Sequence, residues 1–393
     1  MGHRFLVVLA LCGCGEVKNV ADGGRDSNVE TIVSIAVAPT SASIRIGATV
    51  QLTATATLGD ATTTDVSATA TWSVVSMGGA ATVTAGTVTG VTAGGIQIVA
   101  EAGGKSGTAT ITVLPSVLVV SNFTTNNIKV FPATVNGDVA ATRTIAGAAT
   151  TLSSPRGLIV HNDEIILCDQ AANAIDFFPL AADGNVAPTR RIVGATTQLS
   201  SPVGVALFNN ELYIADQGGA ISVFPLAATG DVAPLRRITG LSTGQHLAIS
   251  GGEIYATNYS SGKVTVYPVN ATGPAAPTRT ISGTNVGLTN PTGVVVNGGE
   301  LFVADTRMGV DEIRVFPITS NGDVIPSRII VGANTGLGFP DQMVIFNNEL
   351  FVGNFDSNSV RVFPITTNGN AIPTRSIVGA NTGFGGTLGV FVY

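Results

Sequence analysis

Short apolar stretches alternate with turns rich in glycine and polar residues along most of the chain, and from residue 117 onward this pattern repeats. A Phe-Pro or Tyr-Pro dipeptide recurs every 43 to 49 residues, and an arginine follows each aromatic residue by 12 positions. The six dipeptides begin at Phe131, Phe178, Phe224, Tyr267, Phe316 and Phe363. A period of this length is typical of four-stranded β units or of helical repeats. The short alternating runs and frequent turn residues favour strands.

The segment 202–240 shows the repeat most clearly. Its apolar runs predict four strands, A to D, at 203–207, 211–215, 221–224 and 235–239. Asn209-Asn210 lies between the first two runs and predicts a tight hairpin turn. We therefore expect each repeat to form one four-stranded antiparallel sheet.

The two ends of the repeat region complement each other. Residues 117–122 match strand B, whereas residues 388–393 match strand A of a further copy that has no other strand. The strand missing at the start is thus supplied at the end. We expect the N- and C-terminal strands to pair and close a six-bladed β-propeller over 117–393, because such pairing removes exposed sheet edges.

Two segments carry a family resemblance. Leu-Tyr-Ile-Ala-Asp at 212–216 and Leu-Phe-Val-Ala-Asp at 301–305 each precede a turn and an Ile-x-Val-Phe strand. These units resemble NHL-type propeller repeats, and the resemblance extends over all six copies. It implies a propeller fold, but repeats of this kind occur in enzymes and in interaction proteins alike.

Residues 31–114 show a second β pattern. Their alternating runs, about seven in number, predict a β-sandwich. The stretches IGATVQLTATA at 46–56, ATWS at 70–73 and GTVTGV at 86–91 resemble the bacterial Ig-like domain of group 2. The resemblance implies an all-β spacer or adhesive module with Trp72, the single tryptophan, in its core.

The first 30 residues predict export. Residues 1–14 combine a polar start, an apolar run and the tetrapeptide Leu11-Cys12-Gly13-Cys14, which resembles a bacterial lipobox. The resemblance implies a lipid on Cys14 and a place in the bacterial cell envelope, at the outer membrane or cell surface; a signal peptide cut elsewhere is the alternative. The run is too short to span a bilayer, so we expect membrane attachment through the lipid alone. Residues 15–30 are polar and predict a flexible tether.

Composition narrows the range of partners. The net charge is −6, only 11% of residues are charged, and no basic cluster is present. Nucleic acid is therefore not an expected partner, since phosphate binding needs clustered Lys and Arg.

Cys168 lies in an apolar run, which predicts a buried structural thiol. Closed blades and low charge favour a monomer.

Polar residues recur at fixed places in the repeats. An Asp or Asn ends strand B in each copy, at Asn122, Asp169, Asp216, Asn258, Asp305 and Asn354. A ring of such oxygens could hold calcium, but a residue present in every copy favours turn capping, through backbone amides two residues on. We therefore expect no cofactor. The strand D arginines are expected to protect an edge or to pair with carboxylates such as Asp138, Asp231 or Asp323.

Function is expected where the copies differ. In a propeller the D–A and B–C loops share one face, and aromatic residues on that face suit a glycan, a peptide or a protein. The candidate ligand-binding residues are Phe123, Arg156, His246, Tyr259, Asp341 and Phe355. The B–C loop at 305–312 also gathers three carboxylates, which suit either a metal or a solvated loop.

Signatures of catalysis are few. The chain has no paired-histidine metal motif and no phosphate loop. We therefore expect a non-catalytic binding or adhesion module, with no catalytic residue. A metal-dependent propeller lactonase or lyase, with Asp341 and Asn122 as ligands, is the alternative. The aligned glutamates argue against it, because they follow the A–B turn on the opposite face.

Overall fold

The computed structural model describes residues 31–307 and 309–393. The described part of the chain forms two compact units that meet in sequence between Leu114 and Pro115, and each is described by itself. The predicted signal segment 1–14, the lipidation site Cys14 and the tether 15–30 lie outside the described residues. Within the described residues, no helix has the length and apolar character needed to cross a membrane.

The first unit is built of strands only. Ten strands form within residues 31–114: β1 (Ile32–Ala38), β2 (Ser41–Arg45), β3 (Thr49–Gln51), β4 (Thr53–Leu58), β5 (Thr63–Asp65), β6 (Thr71–Met77), β7 (Ala80–Thr84), β8 (Thr87–Thr92), β9 (Gly94–Ala102) and β10 (Lys105–Leu114). They pair in three sheets, with orders β1-β4-β5, β2-β10-β9-β6 and β3-β8-β7.

The strand number exceeds the expected seven, and one additional strand arises because the chain changes sheets inside one predicted run. The backbone amide of Leu52 donates to Gly86 O at 2.8 Å, which separates β3 from β4. Alternate residues of β9 and β10, such as Ile96, Ile98 and Ile111, are fully buried in the core. Trp72 is half-buried against that core, and its Nε1 donates to Ser67 O at 2.9 Å. It borders the core instead of lying at its centre.

The second unit consists of four-stranded antiparallel sheets, six of them within residues 115–393 as described. Sheet 1 contains β11 (Val117–Asn122), β12 (Asn127–Pro132), β13 (Arg143–Ile145) and β34 (Thr387–Val392). Sheet 2 contains β14 (Pro155–His161), β15 (Glu164–Asp169), β16 (Ala174–Pro179) and β17 (Arg190–Val193). Sheet 3 contains β18 (Pro202–Phe208), β19 (Glu211–Asp216), β20 (Ala220–Pro225) and β21 (Arg236–Thr239).

The other three sheets follow in chain order with the same layout. Sheet 4 contains β22 (Gly244–Ser250), β23 (Glu253–Asn258), β24 (Lys263–Pro268) and β25 (Arg279–Ile281). Sheet 5 contains β26 (Pro291–Asn297), β27 (Glu300–Arg307), β28 (Val310–Pro317) and β29 (Arg328–Val331). Sheet 6 contains β30 (Pro340–Phe346), β31 (Glu349–Asn354), β32 (Ser359–Pro364) and β33 (Arg375–Ile377). Short 3₁₀ turns lie at Ala148–Thr150, Ala195–Thr197, Tyr259–Ser261, Ala333–Thr335 and Ala380–Thr382.

Successive sheets are joined along their outer strands, and the last is joined to the first. An isoleucine on each outer strand forms a β-bridge with a glycine of the next repeat, as in Ile145 with Gly184, and Ile377 of sheet 6 forms the equivalent bridge with Gly137 of sheet 1. At the inner edge, β34 pairs antiparallel with β11. Four-stranded antiparallel sheets arranged in this way are typical of a β-propeller.

The repeated aromatic residue fills the space between neighbouring sheets. Phe178 of sheet 2 packs with residues of sheet 1, and Phe131 of sheet 1 packs with residues of sheet 6. Both rings are fully buried, so each contributes a large apolar area to the interface between sheets. Cys168 is also fully buried and free, as predicted, and burial raises the pKa of its thiol.

The strand D arginines have different partners from those expected. In five sheets the guanidinium pairs with the glutamate that opens strand B, as in Arg190 with Glu164 at 2.8 Å. Strands B and D both begin at the A–B turn end of a sheet, so these side chains meet there. The equivalent pairs are Arg236 with Glu211, Arg279 with Glu253, Arg328 with Glu300 and Arg375 with Glu349.

The expected carboxylate partners instead bind backbone amides of the preceding sheet. Asp323 Oδ1 accepts from Asn285 N at 2.7 Å, and Asp138 Oδ1 accepts from Asn381 N at 2.7 Å. Asp231 Oδ1 accepts from Thr196 N in the same way. The predicted pairing of arginines with these aspartates is therefore wrong, because the aspartates lie beside the turns that enter strand A.

Asp138 and Asp323 make the same contact at two junctions, Asp138 between sheets 6 and 1 and Asp323 between sheets 4 and 5. Replacing each in turn tests whether the sheets unfold together. We expect Asp138→Ala and Asp323→Ala each to lower stability by about 1 kcal/mol, since each removes a capping acceptor, and to lower Tm by roughly 2 °C. Thermal unfolding of purified residues 31–393 measures both. A much smaller effect of Asp138→Ala would show that the contact between sheets 6 and 1 opens before the rest.

Candidate functional site

The D–A and B–C loops lie on one face of the second unit. In five sheets the residue after strand B donates its amide to the loop that leads into strand A, and in sheet 5 Thr306, within β27, does so. Phe123 N donates to Gly386 O at 2.9 Å, and Phe355 N donates to Phe339 O at 3.1 Å. The backbone therefore holds the candidate residues of these loops beside the start of the inner strands.

The Asp or Asn predicted at the end of strand B is fully buried in every sheet, and in sheet 5 the strand continues two residues beyond it. Asp305 Oδ1 accepts from Asn290 N at 2.8 Å, and Asn258 Oδ1 accepts from Ser242 N at 3.1 Å. These two amides lie about 16 residues earlier, in the D–A loop. Asp216 also accepts within its own B–C loop, from Ala220 N at 3.0 Å and from the amide of Gly218, which lies two residues on as predicted. The side chains thus hold the two loops of each sheet together.

Three of these residues are buried carboxylates. Burial raises the pKa of Asp305 to about 6 and that of Asp216 to about 6, although hydrogen bonds from backbone amides partly offset the effect. Burial likewise raises the pKa of Asp169, and its neighbour Asp176 adds to the shift. The other three sheets carry an uncharged asparagine at the same place.

Three phenylalanines form a cleft on the loop face where sheets 5, 6 and 1 follow one another. The ring centroids of Phe123 and Phe355 lie 5.9 Å apart, as do those of Phe339 and Phe355, and both pairs are edge-to-face. The cleft has a volume of about 240 Å³. It is lined by Phe123, Arg156, Phe339, Phe355, Asp356 and Leu388, and we call it the aromatic cleft.

Phe339 has an unusual backbone conformation. Its φ of 50° lies in the left-handed region, where a bulky residue is uncommon. Ser154, Ser201 and Thr243 share this conformation at the equivalent position of other repeats, so the turn geometry is general and the phenyl ring is particular to sheet 6. Asp311 Oδ2 accepts from Phe339 N at 3.0 Å and holds the turn. Strain of this kind is often found at binding sites.

Beneath the aromatic cleft lies a buried group of charged and ionisable side chains. Arg156 Nη2 donates to Asp341 Oδ2 at 2.9 Å, and His246 Nε2 lies 3.0 Å from Asp341 Oδ1. The second contact is close enough for an ion pair, but the ring is not aligned for a straight hydrogen bond. Burial would raise the pKa of Asp341, but His246 and Arg156 outweigh it and lower the pKa to about 2. We call Arg156, His246 and Asp341 the charged layer.

Gln342 extends this layer across the inner strands. Its Oε1 accepts from Leu158 N at 2.9 Å and from Val390 N at 3.2 Å, and its Nε2 donates to Leu158 O at 2.7 Å. One side chain of sheet 6 thus reaches sheets 1 and 2. Beside it, Gly157 leaves room for His246, since a Cβ there would lie 2.4 Å from Val203 O and 2.8 Å from Cε1 of His246.

The structure groups five of the six predicted site residues. Phe123, Arg156 and Phe355 line the aromatic cleft, and His246 and Asp341 complete the charged layer below it. Tyr259 begins the 3₁₀ turn of sheet 4 and does not line the cleft. Sequence reasoning missed Phe339 and Asp356. Phe339 stands where most other copies have Ser, Thr or Gly, and that departure was the available signal.

The carboxylates of the 305–312 segment turn to separate partners. Asp305 holds its own D–A loop, Asp311 holds Phe339, and Glu312 Oε1 pairs with Arg314 at 2.8 Å. Across the described residues, no group of three or more His, Cys, Asp or Glu side chains is arranged to hold a metal. The carboxylate of Asp341, named as a metal ligand in the lactonase alternative, instead contacts Arg156 and His246.

Comparison with known proteins gives structural similarity only. No family model and no curated protein matches the chain. A chain of a nidogen/laminin complex is similar over 70% of this chain and 98% of its own, with 15% identity and a TM-score of 0.49. A putative 6-phosphogluconolactonase from Bacteroides uniformis is similar over 87% and 95%, with 16% identity and a TM-score of 0.46. A functionally unknown protein from Desulfotomaculum acetoxidans is similar over 63% and 75%, with 14% identity and a TM-score of 0.44. Because all three TM-scores are below 0.5, the architecture rests on the strand pairing described above.

We expect Asp305→Asn to stabilise the fold above pH 6 and to have no effect near pH 4. The folded pKa of about 6 exceeds the ordinary value of 3.8, so this carboxyl group favours folding at low pH and loses that contribution as the pH rises through 6. An amide keeps the acceptor and removes the charge. The gain at pH 8 should be about 2 kcal/mol, measured by urea unfolding.

Asp231→Asn is the matched control, since Asp231 is exposed and holds the same kind of backbone contact. It removes a charge at an exposed position, so it should not reproduce the gain in stability at pH 8. Equal stability of Asp305→Asn and the native protein at pH 8 would contradict the assignment of a buried, destabilising charge.

Proposed function

We propose that the chain is a lipid-anchored protein of the bacterial cell envelope. Residues 31–114 are a bacterial Ig-like spacer, and residues 117–393 are a six-bladed NHL-type propeller that presents its loop face to a partner. The all-β sheets of the first unit, the four-stranded sheets of the second and the lipobox-like sequence ending in Cys14 support this proposal.

The propeller acts as a non-catalytic binding or adhesion module, and the aromatic cleft is its binding site. The observation that carries this proposal is the meeting of Phe123, Phe339 and Phe355 above Arg156. Aromatic rings offer rigid apolar contact at low entropic cost. Arg156 lines the cleft, so its guanidinium can donate a hydrogen bond to a ligand oxygen there.

The partner is an envelope glycan, peptide or protein. A cleft of about 240 Å³ accepts a single apolar side chain or one sugar ring, not an extended polymer. The charge of Arg156 is already offset by Asp341, so the cleft favours an uncharged group with a carbonyl or hydroxyl oxygen. A peptide or protein offers such a group as an apolar residue with its carbonyl, and a glycan offers it as a ring face with its hydroxyls.

We expect Phe355→Ala to abolish capture of the partner and to leave the fold intact, because Phe355 is the ring that contacts both others. Purified residues 31–393 are applied in parallel to a glycan array and to a peptide array, and the signals of native and variant protein are compared. A loss of at least tenfold on the array that native protein binds is the expected result.

Tyr259→Ala is the matched variant, since Tyr259 follows strand B in sheet 4 as Phe355 does in sheet 6. Tyr259→Ala should not change the binding of a ligand that is confined to the cleft, whereas it should weaken the binding of a ligand that spans the loop face. Binding should also persist in a metal chelator. Array binding that is unchanged by Phe355→Ala would refute the aromatic cleft as the site, and binding lost with the chelator would favour the lactonase or lyase alternative.

The lipid anchor has its own test. We expect cells that express the full chain to incorporate radiolabelled palmitate into it, and Cys14→Ala to abolish that incorporation. Cys12→Ala is the matched control and should retain the label, since the lipobox pattern ends at Cys14. Equal labelling of both variants would contradict lipidation at Cys14.

A further inference from the structure

A second cavity lies along the inner strands. Its volume is about 320 Å³, and strand A of every sheet in the second unit contributes to its wall. It begins at His246 and Gln342 and extends towards the A–B turns, where His161 is the last residue of β14. The aromatic cleft is lined instead by residues at the start of the inner strands. Residues of the charged layer thus line both spaces, Arg156 the cleft and His246 the second cavity. We call this second space the inner cavity.

The side chains that line the inner cavity are mostly apolar. They are aliphatic or aromatic except for His161, His246 and Gln342. The amide of Gln342 is already bonded to the backbone of Leu158 and Val390. His246 therefore provides the polar group at the inner end, and its Nε2 faces Asp341.

Small residues at one register position create this space. Ala206 in sheet 3, Ala248 in sheet 4 and Phe391 in sheet 1 occupy equivalent positions of strand A. Each pairs with the residue that lies three positions before the end of strand B. The remaining sheets carry Ile159, Val295 and Val344 there. Alanine in two adjacent sheets leaves room that a repeat of Phe391 would fill.

We propose that the inner cavity binds a small, uncharged, apolar molecule with one polar group directed at His246. Its volume is near the lower limit of pockets that bind small molecules, and an apolar cavity of about half this size holds benzene. A macromolecule cannot enter a space enclosed by six strands. A charged ligand would lose hydration without gaining an ion pair, because no Asp, Glu, Lys or Arg lines the cavity and the buried charges of Arg156 and Asp341 are already paired.

The first experiment uses N-phenyl-1-naphthylamine, an uncharged dye whose fluorescence increases in apolar surroundings. We expect saturable 1:1 binding to residues 31–393, and a loss of at least tenfold in affinity for Ala206→Phe and for Ala248→Phe. Ala140→Phe adds the same ring at an exposed alanine and should bind the dye like native protein. Thermal unfolding reports which variants are folded.

Phe391→Ala tests the site from the other direction. It enlarges the inner cavity, so the Kd for the dye should change at least threefold even if both filling variants fail to fold. Displacement tests the polar group: 1-decanol should displace the dye at lower concentration than decanoate or decane.

Several outcomes would overturn the inference. Folded Ala206→Phe and Ala248→Phe proteins that bind the dye like native protein would exclude the inner cavity. Loss of dye binding in Phe355→Ala, without loss in the filling variants, would place the dye in the aromatic cleft. Stronger displacement by decanoate would show that the site selects an anion. None of these results depends on the partner proposed for the aromatic cleft.

Discussion

The pairing of β34 with β11 is the contact on which the rest of residues 115–393 depends. It supplies the inner strand of sheet 1 from the far end of the chain, and so it removes two sheet edges that would otherwise be exposed. The outer contacts repeat the same closure, because Ile377 and Asn381 of the last repeat meet Gly137 and Asp138 of the first. With the ends joined, every inner strand has neighbours on both sides, and their side chains can meet at the centre.

The charged layer follows from that closure. Arg156 and Asp341 are 185 positions apart in sequence, and they meet only because sheets 6, 1 and 2 are consecutive around the centre. Three charged or ionisable side chains in a buried space would be costly if unpaired, and their mutual contacts lower the pKa of Asp341 to about 2 in spite of its burial. The layer contributes Arg156 to one space and His246 to the other.

Repeated and unrepeated residues have separate roles in this molecule. The strand B aspartates and asparagines, the strand D arginines and the dipeptide aromatics recur in the sheets and hold each sheet or join it to its neighbour. Both spaces are built where the copies differ: Phe339 replaces a small residue at a left-handed turn, and Ala206 and Ala248 replace larger residues on the inner strands. The repeated residues thus maintain the structure, and the proposed binding sites lie where the copies differ.

Local pattern was sufficient for the elements themselves. The strands of residues 202–240 lie within one residue of the predicted runs at most ends, and Cys168 is buried as its apolar surroundings indicated. Such features depend on alternation and turn chemistry, which are properties of neighbouring residues. The ion-pair partners of the strand D arginines could not be predicted in this way. The arginines pair with glutamates and not with the expected aspartates, because the end of the sheet at which a side chain lies depends on strand direction. Only the tertiary structure decided how the two proposed sites are built. It groups Phe123, Phe339 and Phe355, separates Tyr259 from them, and leaves room beside Ala206 and Ala248. These features depend on which sheets are adjacent and on where each side chain points within the closed array.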